Sequence, residues 1–99
     1  MASVSQQLLY DARRYVRTNH THHDGEILDL IEAARADLLL GGISASKVES
    51  ENDALIKRAI LLYVKANFGL DNPDSEKYAN SYETLKKHLQ LSDEYTKEA

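Results

Sequence analysis

Asp53–Asn67, DALIKRAILLYVKAN, is the stretch that decides how this chain folds. It holds no Gly or Pro and is rich in Leu, Ile and Ala, which predicts a helix from about Asn52 to Phe68, ended by Gly69. On a helical wheel the charged flank is Lys57, Arg58 and Lys65, with Leu61 in its middle. Leu55, Ile56, Ala59, Ile60, Leu62, Tyr63 and Val64 cover the rest. A helix apolar nearly all round is buried on more than one side. In a chain of 99 residues the neighbours available to cover it are few, so a second protein surface is expected to complete the burial.

Working outward, Gly and Pro number only four and one, and they fall where helices should start or stop. A first helix is expected over Val4–Arg17, with Ser3 and Gln6 at capping-box spacing and Val4, Leu8, Ala12, Tyr15 and Val16 on one face. Asp24 is the expected N-cap of a second helix, Gly25–Leu40, whose apolar stripe is Ile27, Leu30, Ile31, Ala34 and Leu38 and whose stop is Gly41-Gly42. Ile43–Glu51 reads as a polar loop with little to anchor it. Asp71-Asn72-Pro73 opens a fourth helix, in which Tyr78, Tyr82, Leu85 and Leu89 form a narrow core stripe. No segment alternates with the two-residue period of a strand. The expected architecture is all-α: a small four-helix bundle in one domain spanning residues 1–99, with a flexible loop between the second and third helices and a frayed C-terminal tail, Leu91–Ala99.

Composition narrows the function. Without Cys there is no disulfide framework, thiolate metal site or thiol nucleophile. The longest apolar runs, Leu38–Leu40 and Ala59–Val64, are too short to cross a bilayer, so no membrane role is expected. The N-terminus resembles no signal peptide, which points to a protein that works where it is made. A net charge of −4 argues against a dedicated nucleic-acid binder, yet the charge is uneven. Residues 1–23 carry three Arg against one Asp, whereas acids outnumber bases in the remainder.

Few residues suggest chemistry. His20-Thr21-His22-His23-Asp24 has the composition of a divalent-metal site. The plainer reading is a solvated loop with Asp24 as cap, because ligands adjacent on one loop rarely converge on an ion, and neither metal nor cofactor is expected. Tyr10, Arg13, Arg14 and Arg17 on the first helix suit either phosphate or an acidic protein surface, a neighbouring copy included. Leu28 and Leu39, off the main stripe of the second helix and flanking Glu32 and Arg35, join Leu61 as candidates for an intermolecular contact. In the tail, Leu91 and Tyr95 are the side chains able to dock. Phosphate-cradling loops, nucleophile elbows and carboxylate pairs facing an apolar wall are all missing, so no catalysis is expected.

Glu26–Leu38 (EILDLIEAARADL), the Gly41-Gly42 break, Asp53–Asn67 (DALIKRAILLYVKAN) and Phe68–Tyr95 (FGLDNPDSEKYANSYETLKKHLQLSDEY) follow one another in an order that resembles the small head–tail connector, or adaptor, proteins of tailed bacteriophages. The similarity covers about residues 24–95 and lies in packing motifs. The His-rich turn and the Arg-rich first helix depart from the family pattern. The resemblance implies a non-enzymatic virion protein, present in the host cytoplasm during assembly. It implies a closed homo-oligomeric ring of roughly twelve copies that docks on the portal protein, extends the channel through which double-stranded DNA passes, and receives a stopper or tail-completion protein. Tyr10, Arg13, Arg14, Arg17, Leu28, Leu39 and Leu61 would then serve the subunit interface, and Leu91 and Tyr95 the portal-docking tail. The alternative from the residues alone is a small helical DNA-binding or regulatory protein using the Arg-rich first helix.

Overall fold

The computed structural model of the protein describes residues 3–18, 21–69 and 72–97. Its helices are α1 (Gln6–Tyr15), α2 (Asp24–Leu40), α3 (Ala45–Val48), α4 (Ala54–Asn67), α5 (Ser75–Gln90) and α6 (Asp93–Thr96), and no strand occurs among the described residues. The all-α expectation holds, with two short helices added where a loop and a tail were expected.

Local chemistry sets the ends of the long helices. Ser5, rather than Ser3, caps α1, its hydroxyl accepting the Leu8 N–H at 3.0 Å. Asp53 caps α4 by accepting from Leu55 and Ile56 at 3.0 and 3.1 Å. At the end of α2, Gly42 takes φ +100°, open to Gly without strain. Gly41 lies close under α5: a Cβ there would come within 2.8 Å of the end of the Lys86 side chain, which would have to swing aside.

The helices alternate in direction. Lys65 Nζ donates to the Tyr15 carbonyl at 2.8 Å, joining the ends of α1 and α4, while the Gly69 N–H reaches Glu26 at 3.0 Å and joins the end of α4 to the start of α2. Beside α2, α5 runs parallel to it: Tyr82 and Lys86 both donate to Asp37, at 2.6 and 2.9 Å, and Gln90 to the Gly41 carbonyl at 3.0 Å. Burial raises the Asp37 pKa, but the two donors outweigh it and hold the carboxyl below its ordinary value. Leu8 and Ala12 of α1, Ile27, Ile31 and Leu38 of α2, Ile56, Ile60 and Val64 of α4, and Leu89 of α5 make the core. Tyr82 is buried with them, and its ring meets Tyr63 edge-on at 5.2 Å.

The expected shortage of cover for the most apolar helix does not exist. α1, α2 and α5 all pack on α4, leaving Leu61 only 9% exposed and Leu62 3%; Leu55 alone among its large apolar residues stays open, at 44%. The wheel counted helices but not the ability of one helix to be sandwiched on three sides.

Two further expectations are corrected. Ile43–Glu51 is anchored: Ile43 and Val48 are buried, and α3 forms between them. The tail docks on its own chain rather than fraying. The Ser44 N–H donates to the Tyr95 carbonyl at 2.8 Å, and the buried Tyr95 hydroxyl donates to the Asp53 carboxylate at 3.0 Å. Loop and tail therefore hold each other. Burial and Asp53 push the Tyr95 phenol up to about 12.

Arg35, expected on the rim of α2, is wholly buried, with Nη2 3.4 Å from Glu51. Glu51 also accepts from the Ser5 backbone N–H at 3.0 Å and from the Ser5 hydroxyl. Burial raises the Glu51 pKa, but the Ser5 bonds and the Arg35 charge outweigh it, so the carboxyl sits below its ordinary value.

A carboxyl with a depressed folded pKa binds fewer protons folded than unfolded. Its contribution is complete above the ordinary carboxylate range, near pH 4, and is lost as pH falls through the folded value. Thermal unfolding across pH 2–6 is therefore expected to show stability falling below about pH 4. Glu51→Gln should lower neutral-pH stability by about 1–2 kcal/mol and flatten that acid loss. Tyr95→Ala is expected to destabilise the fold by about 3 kcal/mol in urea titration, and to raise amide exchange at Ser44 if loop and tail depend on each other.

Candidate interaction surfaces

The three arginines adjacent in sequence part company in space. Arg13 forks onto Asp24, Nε to Oδ1 and Nη2 to Oδ2, both at 2.7 Å. This bidentate pair holds Asp24 below, and Arg13 above, their ordinary pKa values. Asp24 is thus not the cap of α2. It lies inside the first helical turn, and the capping position falls to His23, which makes no side-chain cap bond.

That pairing bears on the metal reading. The Asp24 oxygens both face Arg13, and the His23 ring stands edge-on to Phe68 at 5.4 Å. Thr21 and His22 are exposed, and His20 lies outside the described residues. No group of three or more His, Asp or Glu able to hold a metal occurs among the described residues.

Arg14 and Arg17 remain on the surface. The Arg14 guanidinium sits 5.7 Å from the centre of the half-exposed Tyr10 ring. Arg17 takes φ +61° just past the end of α1, with its N–H bonded to the Arg14 carbonyl at 3.1 Å and the Thr18 N–H to the Arg13 carbonyl at 3.0 Å. This is the Schellman turn that usually carries Gly, here with a strained, charged residue. Lys65 of α4 joins the group, 5.3 Å from the Tyr78 ring centre. Arg14, Tyr15, Arg17, Lys65 and Tyr78 together line an open depression of about 290 Å³.

Along α4 toward its N-terminus, Lys57 pairs with Asp11 at 2.5 Å above Leu61, the Lys57 bond being the main cause of a lowered Asp11 pKa. Beyond it, Leu55, Arg58 and Leu62 face Leu85 and His88 of α5 across a groove of about 440 Å³.

The apolar candidates also separate. Leu28 is half-buried against the core, Leu61 and Tyr95 are buried, Leu39 is 44% exposed and Leu91 86%. Sequence reading missed Leu40, 89% exposed at the end of α2; in Leu38–Leu40 only one of three consecutive leucines can point inward, and that residue is Leu38. It also missed the convergence of Lys65 and Tyr78 on the end of α1, which arises from packing between distant helices and leaves no local spacing to read.

No helix among the described residues is long and apolar enough to cross a membrane. A family model described as "Phage connector protein" matches residues 8–96, from within α1 through the end of α6. No curated protein and no solved structure matches the chain.

With the Asp24 oxygens engaged by Arg13, isothermal titration of the protein with zinc is expected to give no binding heat at micromolar concentrations.

Proposed function

The chain belongs to the phage connector protein family, and on that premise we propose that it is a non-enzymatic structural subunit of the neck between phage head and tail. In this reading copies close into a homo-oligomeric ring, roughly twelve-fold, through a heterologous interface in which one face meets a different face of the next copy. The ring docks on the portal protein, extends the DNA channel and offers a platform to the stopper or tail-completion protein. The match over residues 8–96 carries the proposal.

The side chains left free by the fold refine the interface. Arg13, Leu61 and Tyr95 are engaged within the subunit, so the contact falls to Tyr10, Arg14, Arg17 and Leu39, with Leu28 in support. For the axial partner, Leu40 and Leu91 flank the Gly41–Gln90 hydrogen bond at one end of the bundle, both almost fully solvated. Large apolar side chains this exposed are suited to burial against another protein, and Leu91 is the part of the tail that stays available to the portal. The net charge of −4 suits a conduit as well, since an acidic wall lets duplex DNA pass without adhering.

Micrographs of the necks of assembled particles test this reading. A closed ring of this chain between portal and tail is expected; particles holding single, dispersed copies would overturn it.

A further inference from the structure

Two faces of the subunit carry opposite charge and are built from different helices. α2 turns Ile27, Ile31, Ala34 and Leu38 into the core, so its outer stripe of Asp29, Glu32, Ala36 and Leu39 points away from α4, and all four are exposed. The cationic depression around Arg14, Arg17 and Lys65, and the groove beside it, are lined by α1, α4, α5 and the turn after α1, with nothing from α2. The acidic stripe and the cationic strip therefore lie on different sides of the molecule.

They also match in height. Because α2 and α4 are antiparallel and Glu26 meets Gly69, a rise of about 1.5 Å per residue brings Asp29 and Glu32 near the level of Lys65. The same count brings Leu39 near the level of Leu55. Each of those leucines is 44% exposed. A rotation about an axis along the bundle thus sets acid against base and Leu39 against Leu55 with little shift along that axis, the condition for a contact that closes instead of spiralling.

Arg17 adds an independent sign. Its left-handed backbone costs about 1 kcal/mol that Gly would avoid, and what this position gains is a cation held at the mouth of the depression.

We propose that the Asp29–Glu32–Leu39 stripe of α2 docks on the Arg14–Arg17–Lys65 strip and Leu55 of a second copy, and that this is the repeating contact of the ring. The inference rests on the ring reading above. A second copy fits better than duplex DNA because the strip runs on to the half-exposed Leu55 at the rim of a mixed groove, and Leu55 gains an apolar partner from Leu39 of the next subunit but none from a phosphate backbone.

Charge reversal tests it in particles supplied with each variant. Asp29→Lys with Glu32→Lys, and Arg14→Glu with Arg17→Glu, are each expected to abolish neck rings while leaving the circular dichroism spectrum unchanged. Supplied together, the two variants should restore alternating rings, since each reversed face then meets a reversed partner. Should a reversal unfold the chain, the neutral forms Asp29→Asn with Glu32→Gln, and Arg14→Gln with Arg17→Gln, are expected to lower ring yield several-fold. Rings of wild-type yield from either single set, or no rescue on mixing two folded variants, would overturn the docking. Loss of duplex retention in a gel shift with rings intact would assign the strip to DNA instead. Wild-type necks without rings would overturn the ring reading itself.

Discussion

A guanidinium that cannot shed its charge is buried in the middle of α2, and much of the fold is arranged around that fact. Arg35 is wholly removed from water, and a cation there is tolerated only with a fixed acid nearby. Glu51 fills that place, two residues before the Asp53 cap of α4, so the demand made by α2 also fixes how the chain enters its most buried helix. Ser5 extends the arrangement: its hydroxyl starts α1 and at the same time bonds Glu51. One charge thereby sets the relative placement of three helices, which nonpolar packing alone would leave freer to slide.

The same economy appears at Asp53, which caps α4 and receives the Tyr95 hydroxyl. Asp37 does likewise for Tyr82 and Lys86, tying α2 to α5. These carboxylates sit at element junctions, so much of the acidic surplus of the chain is structural. What stays exposed on α2, Asp29 and Glu32, is then more telling, because none of these junctions uses it.

The long helices were legible because their signals are local: Ser and Asp at starts, glycines at stops, and apolar spacing between. The placement of Arg35 was also legible in principle, lying four residues after Ile31 and three before Leu38, on the inward stripe. Reading residue type ahead of position put it at the surface. α3 and α6 were not legible, since four-residue helices have no periodicity and these two are held by a bond between Ser44 and Tyr95, far apart in sequence. The exposure assigned to Leu61 failed for a related reason, because how many sides of a helix are covered is a property of assembly in three dimensions. Of the candidate surfaces, the charges on α1 were visible in the letters. Which of them stay free was decided by Asp24, whose fork with Arg13 no spacing rule announces.

The Ser44–Tyr95 clasp has a consequence for biosynthesis. Helices emerging from the ribosome pair in order, and α1, α2 and α4 can assemble as they appear. The α3 segment can settle on α2 as early as they do, but its Ser44 N–H meets the Tyr95 carbonyl only after α6 has emerged. The clasp is thus among the last contacts to form, and a chain cut before Tyr95 would keep its loop on α2 but lose the bond that ties loop to tail.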